Sequence, residues 1–415
     1  MKIWIIGSGE PIYSDGGERL QRYGVLARHL ATAGHAVTWW ASDFSHSKKA
    51  HCAPPNSRAV VEGVEVVFVH TPAYRRNVGL GRLFSVSVQA SHLRRVMAFA
   101  SLPDIILCAM PTIEASDVAV KLANSVDRPI VVDIRDEWPE DYVRWLPTWL
   151  RGAGRLLLGR KFLQLKRACR GATALVGVSQ RQLEYGLQHA GRQQGALDQV
   201  IYLGARKPFV AEDQRAALRK SWLPHSASEN MFVCAFAGTL SAARPLGPVI
   251  DAVLRLADRI PIRLLIAGSG DAEADLRRRA GGHKAIYFGG WSSQPALAAL
   301  LDVADVALAP YHSDFAFSLP TKMFEYMAAG LPIVSSCGGE AAALIERERL
   351  GINYRFDDSA ALESALAWLH EHPAERRAMG DASREIFKQR FDQSAICVQF
   401  EAYLQRVLNN ERRPQ

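Results

Sequence analysis

The residues whose types are best suited to chemistry lie between Ser318 and Gly330, in a stretch that predicts a helix. Ser318 is a favourable N-cap, Pro320 suits the first turn, and Gly330 suits the left-handed residue that ends a helix. The unpaired N–H groups at the start of such a helix bind anions, and a diphosphate fits them. Because Lys322 adds a positive charge to the same turn, the stretch predicts a diphosphate site.

Glu325 lies three residues after Lys322 and therefore on the same face of the predicted helix. Its carboxylate can accept hydrogen bonds from both hydroxyls of a nucleotide ribose. The same spacing also fits an ordinary surface ion pair between the two residues. We expect the binding role and take both as candidate catalytic residues. The predicted binding residues of this stretch are Ser318, Leu319, Pro320, Thr321, Lys322 and Glu325.

A second candidate is the acidic pair Asp136 and Glu137, which follows the predicted strand 129–133. Parallel sheets collect their ligand-binding groups where strands end. A carboxylate there can orient or deprotonate a hydroxyl group. The pair also fits the first turn of a helix, whose dipole stabilises acids. Of the two, we take Asp136 as the candidate catalytic residue.

The positive charge of the chain is concentrated in two segments. The chain has 50 Lys and Arg against 42 Asp and Glu, which gives a net charge of +8. The first basic segment, Arg144–Arg170, has eight basic residues and no acid; the second, Val67–Pro103, has five arginines and no acid. In the first, apolar residues at helical spacing predict a helix lying on an anionic bilayer. A cationic face in contact with solvent is the other interpretation. The candidate membrane and acceptor residues are Arg75, Arg76, Arg144, Trp145, Trp149, Arg151 and Arg155.

Short apolar runs alternate with longer amphipathic ones, and this pattern predicts a parallel α/β architecture. We expect two doubly wound, Rossmann-like domains facing a central cleft, with residues 1–205 binding the acceptor and 206–385 binding the nucleotide. Residues 386–415 should form a C-terminal helix that crosses back to the first domain, helical over 385–408. The predicted strands are 2–6, 36–40, 64–70, 104–108, 129–133, 174–178, 231–237, 262–267, 285–288, 306–310 and 332–335, and the predicted crossover helices include 19–33 and 248–258.

Composition and motifs exclude several classes of protein. The chain is 48% hydrophobic and 22% charged, which is typical of a globular protein. It contains no window of about 18 apolar residues that could span a membrane. The first residues become polar too soon for a signal peptide, so we expect a cytoplasmic protein. The six cysteines have no metal-ligand spacing and predict buried free thiols. The glycine pairs at 7–9 and 268–270 lack the third glycine of a dinucleotide fingerprint, which argues against a nicotinamide cofactor.

The serial order of motifs resembles the GT-B-fold, retaining glycosyltransferases of family 4. More narrowly, it resembles the bacterial surface-polysaccharide branch, which makes O-antigen or capsule and includes fucosaminyltransferase-like enzymes. The donor-site signature of that branch is similar to residues 318–334. The other stretches that carry the resemblance are Gly16-Gly17 with residues 33–37, residues 134–139, 236–240, 266–270, 287–290 and 304–308.

The resemblance implies a nucleotide diphosphate sugar as donor, UDP- or GDP-linked, and transfer with retention and without a metal ion. It also implies a lipid-linked or polysaccharide acceptor at the inner face of the cell membrane, where the protein would be peripheral. Many members have a glutamate where this chain has Phe317, and an arginine where it has Thr239. Arg244 is the nearest candidate for the lysine of their diphosphate clamp. The further donor-binding residues are Gly16, Gly17, Thr239, Arg244 and Trp291.

Other functions stay open at this point. A nucleotide-sugar 2-epimerase shares the two-domain fold, although the sequence shows no matching set of acid and base residues. A non-catalytic partner that only binds sugar nucleotides fits the departures at Phe317 and Thr239. Nucleic-acid binding is a distant option, because the basic segments lack a known nucleic-acid-binding motif; we expect no nucleic-acid partner.

Overall fold

In this computed structural model the described residues are 1–12, 20–76, 79–207, 209–223, 231–312 and 319–411. The chain divides into two compact units, each with its own parallel sheet. Unit 1 comprises Met1–Tyr202 with Cys397–Gln415, and unit 2 comprises Leu203–Ile396. The roles that the sequence assigned to the two domains stay predictions.

The sheet of unit 1 has eight strands within the described ranges, in the order β10-β9-β8-β7-β1-β2-β6-β5. All neighbours are parallel except the edge strand β5, which is antiparallel to β6. A separate two-stranded ribbon pairs β3 with β4. The strands of unit 1 are β1 Lys2–Ile6, β2 Ala36–Ser42, β3 Phe44–Ser45, β4 Ala50–His51, β5 Arg58–Val61, β6 Val64–Val69, β7 Ile105–Met110, β8 Ile130–Ile134, β9 Ala174–Gly177 and β10 Gln199–Val200.

The sheet of unit 2 has six parallel strands within those ranges, in the order β13-β12-β11-β14-β15-β16. This is the strand order of the Rossmann fold, in which the direction of winding reverses between the first and the fourth strand. The strands of unit 2 are β11 Phe232–Ala237, β12 Ile262–Ala267, β13 Ile286–Gly290, β14 Val306–Ala309, β15 Ile333–Ser335 and β16 Gly351–Asn353.

Helices cover both sheets, which is why central strands such as β7 and β11 are apolar and buried along their whole length. The helices of unit 1 are α1 Arg22–Thr32, α2 Leu80–Met97, α3 Ile113–Ser125, α4 Glu140–Arg144, a 3-10 turn Thr148–Leu150, α5 Arg151–Leu157, α6 Gly159–Gly171 and α7 Gln180–Ala190. Those of unit 2 are α8 Glu212–Trp222, α9 Leu246–Ala257, α10 Glu273–Ala280, α11 Gln294–Val303, α12 Thr321–Ala329, α13 Gly339–Glu348, α14 Ser359–Glu371 and α15 Pro373–Ile386, followed by a π-helical turn Phe387–Phe391 and by α16 Gln393–Glu411. No described helix combines the length and the apolarity that crossing a bilayer requires.

Every strand that the sequence predicts is present, with ends that differ by at most two residues. The sequence missed β3, β4 and β10, which have two residues each, and β16, which has three. It also missed the edge strand β5, whose residues are exposed or half-buried. Five of the six cysteines are buried free thiols as expected, and Cys52 is exposed.

The prediction of one helix over 385–408 is wrong in one respect. The helix is interrupted at Asp392, whose backbone is extended with ψ 124° and forms a parallel bridge with Ala205. The Asp392 carboxylate then accepts hydrogen bonds from the N–H groups of Ser394 (2.9 Å) and Ala395 (3.2 Å) and so caps α16.

Candidate functional site

The first candidate site surrounds the N-terminus of α12 in unit 2. The helix begins at Thr321, and Pro320, rather than Ser318, occupies the N-cap position with an extended ψ of 135°. The predicted cap by Ser318 is therefore wrong, and Ser318 itself lies outside the described residues. Pro320 suits the N-cap because its fixed φ admits the extended conformation there. Leu319 is buried before it, and Thr321 is exposed.

The end of α12 agrees with the sequence. Gly330 has φ 74° and ψ 39°, the left-handed conformation predicted for the residue that ends the helix. A Cβ at this position would also lie 2.3 Å from a nitrogen of the Arg384 guanidinium. The backbone conformation therefore favours glycine here, whereas the flexible Arg384 side chain could move to make room.

Lys322 and Glu325 contact each other on the predicted face of α12, with the Nζ donating to a carboxylate oxygen at 2.8 Å. Only 8% of Glu325 is exposed. The two residues therefore form the ion pair that their spacing predicted as one alternative. The same contact holds the carboxylate and the ammonium side by side near the start of the helix. The carboxylate can accept hydrogen bonds from ribose hydroxyls, and the ammonium adds positive charge to the anion-binding start of the helix.

A tyrosine ties α12 to the sheet. The Tyr326 hydroxyl accepts a hydrogen bond from the N–H of Ala237, the last residue of β11, at 3.0 Å. The helix start is thereby fixed beside the carboxyl ends of β11 and β14, the pair of strands at which the winding reverses. Ligands of doubly wound sheets bind at this point.

The loop after β11 contributes Thr239 and Arg244. Arg244 donates to the Thr239 carbonyl at 3.4 Å, and its guanidinium lies 5.5 Å from the ring centre of Tyr311, which follows β14. Gly268 comes so close to this loop that a Cβ on it would lie 1.9 Å from the Gly238 carbonyl oxygen, and its φ of 147° also favours glycine. Arg244 is thus held at the strand ends rather than extended into solvent.

Trp291 does not pack in the core, because 82% of it is exposed. Gly16, Gly17 and Phe317 lie outside the described residues. The sequence did not single out Tyr311 or Ser336, which are joined by two hydrogen bonds of 2.9 Å. Their position directly after predicted strands is the signal that could have identified them.

The second candidate site is a cavity of about 250 Å³ in unit 1. It is here called the acceptor cavity only because the sequence predicts acceptor binding for this domain. It lies where β1, β2, β7 and β8 end, and so again at the point where the winding reverses. Its walls combine aromatic rings with charged groups of both signs. The lining residues include Glu10, Phe44, His46, Tyr74, Arg82, Glu114, Arg135, Asp136, Trp138, Tyr142 and Lys161.

Asp136 lines the acceptor cavity, as its position after β8 suggested. Asp136 is exposed, yet the protein atoms around the cavity still displace part of the water from its carboxyl. This desolvation raises the pKa of Asp136 above its usual value, while the positive charges of Arg135 and Arg82 act in the opposite direction. A base with a raised pKa is better matched to taking a proton from a hydroxyl group.

Glu137, the other member of the acidic pair, has a structural role. It is buried and forms ion pairs with Arg144 and Arg181, which lower the pKa of its carboxyl although burial alone would raise it. Two further pairs neutralise charges in the cavity wall, Arg135 with Glu10 and Lys161 with Glu114. Burial lowers the pKa of Lys161 to about 8.

The helix predicted from the apolar residues 146–157 is present only in part, as a 3-10 turn followed by α5. The first basic segment contains the end of α4, a 3-10 turn, α5 and α6, and α5 stops before Gly159. Gly159 follows the break, and glycine weakens a helix. Gly154 lies within α5, where a Cβ would be 2.4 Å from the Leu146 side chain. The cationic face is also smaller than predicted, since acids outside the segment pair with three of its basic residues. Those pairs are Arg144 with Glu137 and Asp141, Lys161 with Glu114, and Arg167 with Asp117.

The apolar residues of this segment are nonetheless exposed. The exposed fraction is 80% for Trp149 and 85% for Leu156, and Trp145 and Leu157 are also largely exposed. Leu157 lies with Leu80 and Phe84 of α2 along one groove, here called the apolar groove. Arg75, Arg76, Arg151 and Arg155 are exposed as well.

Comparison with known protein families gives a match within unit 2. Residues 232–372, from β11 to the end of α14, match the family model described as "Glycosyl transferases group 1". A GDP-mannose-dependent alpha-(1-6)-phosphatidylinositol dimannoside mannosyltransferase of Mycobacterium tuberculosis is 35% identical over 132 residues, which are 31% of this chain and 32% of that protein. The chain therefore matches about a third of the length of that relative.

Solved structures resemble the chain over nearly its whole length. Sucrose-phosphate synthase of Thermosynechococcus elongatus has a TM-score of 0.73 at 16% identity, covering 99% of both chains. Anabaena HepE in complex with UDP has a TM-score of 0.64 at 19% identity, covering 98% of this chain and 100% of that chain. A UDP-forming trehalose-phosphate synthase of Burkholderia xenovorans has a TM-score of 0.67 at 14% identity, covering 98% and 99%. The chain has the GT-B fold.

The GT-B fold confirms the predicted fold class, two Rossmann-like domains. The match to group 1 glycosyltransferases supports the resemblance noted in the sequence over residues 232–372. The narrower surface-polysaccharide branch is not among these matches and stays a prediction, since the named relative is a mannosyltransferase.

Proposed function

We propose that the chain is a glycosyltransferase that moves a sugar from a UDP- or GDP-linked donor onto an acceptor, with retention and without a metal ion. The observation that carries the proposal is that the glycosyltransferase match spans α12 with its Lys322–Glu325 pair. The names of similar proteins support both nucleotides, since HepE was solved with UDP and the mycobacterial relative depends on GDP-mannose.

In this proposal unit 2 binds the donor. The free N–H groups at the start of α12, Lys322 and Arg244 bind the diphosphate, and Glu325 accepts hydrogen bonds from the ribose hydroxyls. Trp291 provides an exposed ring for the base. Positive side chains and the helix dipole then stabilise the charge that develops on the leaving nucleoside diphosphate.

Unit 1 binds the acceptor in the acceptor cavity. The bond between the anomeric carbon and the diphosphate oxygen breaks, and a bond between that carbon and an acceptor oxygen forms. Asp136 orients the acceptor hydroxyl or takes its proton, a role that the raised pKa of its carboxyl favours.

The acceptor is a lipid-linked sugar, and the protein binds peripherally at the inner face of the cell membrane. The apolar groove shares Leu83, Glu114, Leu158 and Lys161 with the acceptor cavity, so a lipid chain in the groove and a sugar in the cavity can belong to one molecule. Exposed Arg151 and Arg155 complement anionic head groups. The mycobacterial relative is named for phosphatidylinositol dimannoside, a glycolipid, which supports this class of acceptor. The O-antigen or capsule branch stays a prediction within it.

Product analysis tests the proposal. The purified chain is incubated with UDP- and GDP-sugars and lipid-linked oligosaccharides, with and without a chelator, and products are identified by mass spectrometry and their anomeric configuration by NMR. We expect transfer with retention, unaffected by the chelator and lost in Glu325→Gln but kept in Glu371→Gln, an exposed acid in α14. An isomerised donor without acceptor product, or no transfer by folded wild type, would contradict it.

Membrane binding has a separate test in sedimentation with vesicles. We expect binding to vesicles that contain an anionic lipid, little binding to neutral ones, and a loss of several-fold when Trp149 and Leu156 are replaced by serine. Phe99→Ser is the matched control, because Phe99 is 92% exposed but lies outside the first basic segment, which contains Trp149 and Leu156. Equal losses in both variants, or no dependence on lipid charge, would refute membrane binding.

A further inference from the structure

The apolar groove of unit 1 is built by three helices. Helix α3 packs against both α2 and α6, and residues of all three line the groove, so α3 forms its floor and the other two its walls. The Lys161 ammonium of α6 donates to the Ser87 hydroxyl of α2 at 3.3 Å and so connects the walls. The groove has a volume of about 630 Å³, which is within the usual range of small-molecule sites.

The carboxylates in the groove are neutralised by neighbouring cations. Among the described residues that line it, the acids are Glu114 and Asp117. Glu114 forms an ion pair with Lys161. Asp117 is paired with Lys121 at 3.0 Å and with Arg167 at 2.9 Å. These acids are therefore already used as partners of other cations.

Two further cations line the groove, Arg94 of α2 and Arg160 of α6. Both are exposed, and neither forms an ion pair or a hydrogen bond with any residue that the structure describes. A guanidinium is always charged and binds phosphate oxygens through two N–H groups at once. The groove therefore offers two positive charges to an anionic ligand.

Arg160 lies at the end of the groove that meets the acceptor cavity. Its sequence neighbours Leu158 and Lys161 line both the groove and the cavity. Arg94 lies farther away, because it follows Ser87, the residue that Lys161 contacts, by seven positions, or about 10 Å along a helix. An anion bound at Arg160 is thus the one that lies next to the cavity.

The apolar part of the groove is at the same end. Leu80 and Phe84 of α2 are 78% and 65% exposed, and Leu157, which precedes the shared residue Leu158, is 79% exposed. A hydrocarbon chain lying over these side chains would remove them from water, which is favourable. Apolar surface and an unpaired cation at one place fit a ligand that has both a chain and an anionic head.

A buried amide also favours a ligand with a polar head. Gln164 lines the groove one helical turn after Arg160, and only 9% of it is exposed. Its Oε1 has no hydrogen-bond partner among the described residues. Buried polar groups are normally hydrogen-bonded, so this wall is poorly suited to a hydrocarbon chain alone.

We propose that the apolar groove binds a lipid phosphate, with the phosphate group at Arg160 and the hydrocarbon chain over the exposed apolar residues. Arg94 supplies a second, more distant positive charge. The inference rests on the proposed function, because this molecule is then the lipid-linked acceptor and its phosphate joins the chain to the sugar in the acceptor cavity. It makes Arg160 a determinant of acceptor specificity.

The test measures binding of short amphiphiles to the full-length chain by titration calorimetry, without donor and below their micelle concentrations. Octyl phosphate is compared with octanol, which has the same chain without the charge, and with inorganic phosphate, which has no chain. Dihexanoyl phosphatidylglycerol represents a membrane phospholipid. We expect octyl phosphate to bind about tenfold or more tightly than each of the others, since chain and charged head both contribute.

Variants locate the phosphate group. Arg160→Gln should bring octyl phosphate close to octanol in affinity, Arg160→Lys should keep part of the difference, and Arg94→Gln should reduce it less. Arg170→Gln is the matched control, because Arg170 is an exposed arginine of the same helix that does not line the groove. Leu157→Ser should weaken octyl phosphate and octanol by the same factor, because it changes the contact with the chain alone.

Several outcomes would overturn the inference. They are equal binding of octyl phosphate and octanol, no measurable binding of octyl phosphate at millimolar concentration, equal losses in Arg160→Gln and Arg170→Gln, or binding of inorganic phosphate or of the phospholipid at least as tightly as octyl phosphate. Because donor is absent, the result does not depend on transfer. A chain that binds octyl phosphate as expected but transfers nothing would refute the proposed function alone. A transferase that binds octyl phosphate no more tightly than octanol would refute this inference alone.

Discussion

The two candidate sites are built in different ways, although both lie at the point where a doubly wound sheet reverses its winding. In unit 2, Lys322 and Glu325 are three residues apart on one helix, and their contact of 2.8 Å follows from helical geometry. In unit 1, the acceptor cavity joins residues as distant as Glu10, Arg82 and Lys161. A site within one element can be predicted from spacing, whereas a site made by many loops depends on the tertiary fold.

The comparison also separates two kinds of chemistry. The unit 2 site offers a helix start and fixed charges, which suits binding of a common nucleotide diphosphate. The acceptor cavity offers a carboxyl with a raised pKa, which suits reaction at a hydroxyl group. If this division is correct, substitutions in unit 1 should affect turnover, and substitutions in unit 2 should affect donor affinity.

The largest effect is expected for Asp136→Asn. Without a carboxylate to orient or deprotonate the acceptor hydroxyl, kcat should fall about 100- to 10,000-fold, the usual range for a general base. Donor affinity should stay unchanged, because Asp136 lies in unit 1. Asp127→Asn, an exposed residue before β8, is the control. A variant that keeps its turnover, or that loses donor affinity instead, would contradict the assignment of the reaction to unit 1 and of donor binding to unit 2.

Glu325→Gln should reduce donor affinity about 100-fold, because two charge-assisted hydrogen bonds to the ribose become neutral ones, at a loss of about 1–1.5 kcal/mol each. Titration calorimetry with UDP- and GDP-sugars measures the change, and acceptor binding should not respond. If the residue only forms a surface ion pair with Lys322, affinity would stay within about twofold.

Arg244→Gln should weaken donor binding less, by about tenfold, because one charge-assisted contact to the diphosphate is lost. Arg278→Gln, an exposed arginine in α10, is the control for the loss of positive charge in unit 2. The same titration should show a smaller loss for a nucleoside monophosphate than for the diphosphate. An equal loss for both would place Arg244 away from the diphosphate.

The smallest expected effect is a change in the Tm of Asp136→Asn, relative to wild type, with pH. Because the pKa of Asp136 is raised in the folded protein, folding favours the protonated carboxyl. Its contribution is fully present below the unfolded pKa, near 3.9, and is lost as the pH rises through the folded value. Asp136→Asn should therefore raise the Tm modestly at pH 7, and the difference should shrink as the pH falls toward 4. A lower Tm at pH 7 would contradict the desolvated environment of the carboxyl.

The sequence predicted most strands, because the central strands of a parallel sheet are continuous apolar runs such as Ile105–Met110. It predicted α12 through Gly330, Lys322 and Glu325, although it assigned the cap to Ser318. It did not anticipate the acid partners of Lys161 and Arg167, since those acids come from α3. Ion pairs between distant segments leave no local pattern.

The position of Arg82 could not be predicted from the sequence either. In the sequence it was one of five arginines in an acid-free segment, which suggested a surface charge. In the structure it lies over Trp138 in the acceptor cavity. The spacing of residues contained no signal for this contact, because it forms between α2 and the loop after β8.

The most direct test of the central claim is hydrogen-exchange mass spectrometry of the full-length chain with a panel of UDP- and GDP-sugars. The account predicts that a bound donor slows exchange in peptides covering 319–329 and 238–246, with no change in peptides of the acceptor cavity such as 79–90. Glu325→Gln should abolish that protection at the same donor concentration. Protection confined to unit 1, or no protection by any nucleotide sugar, would contradict the account.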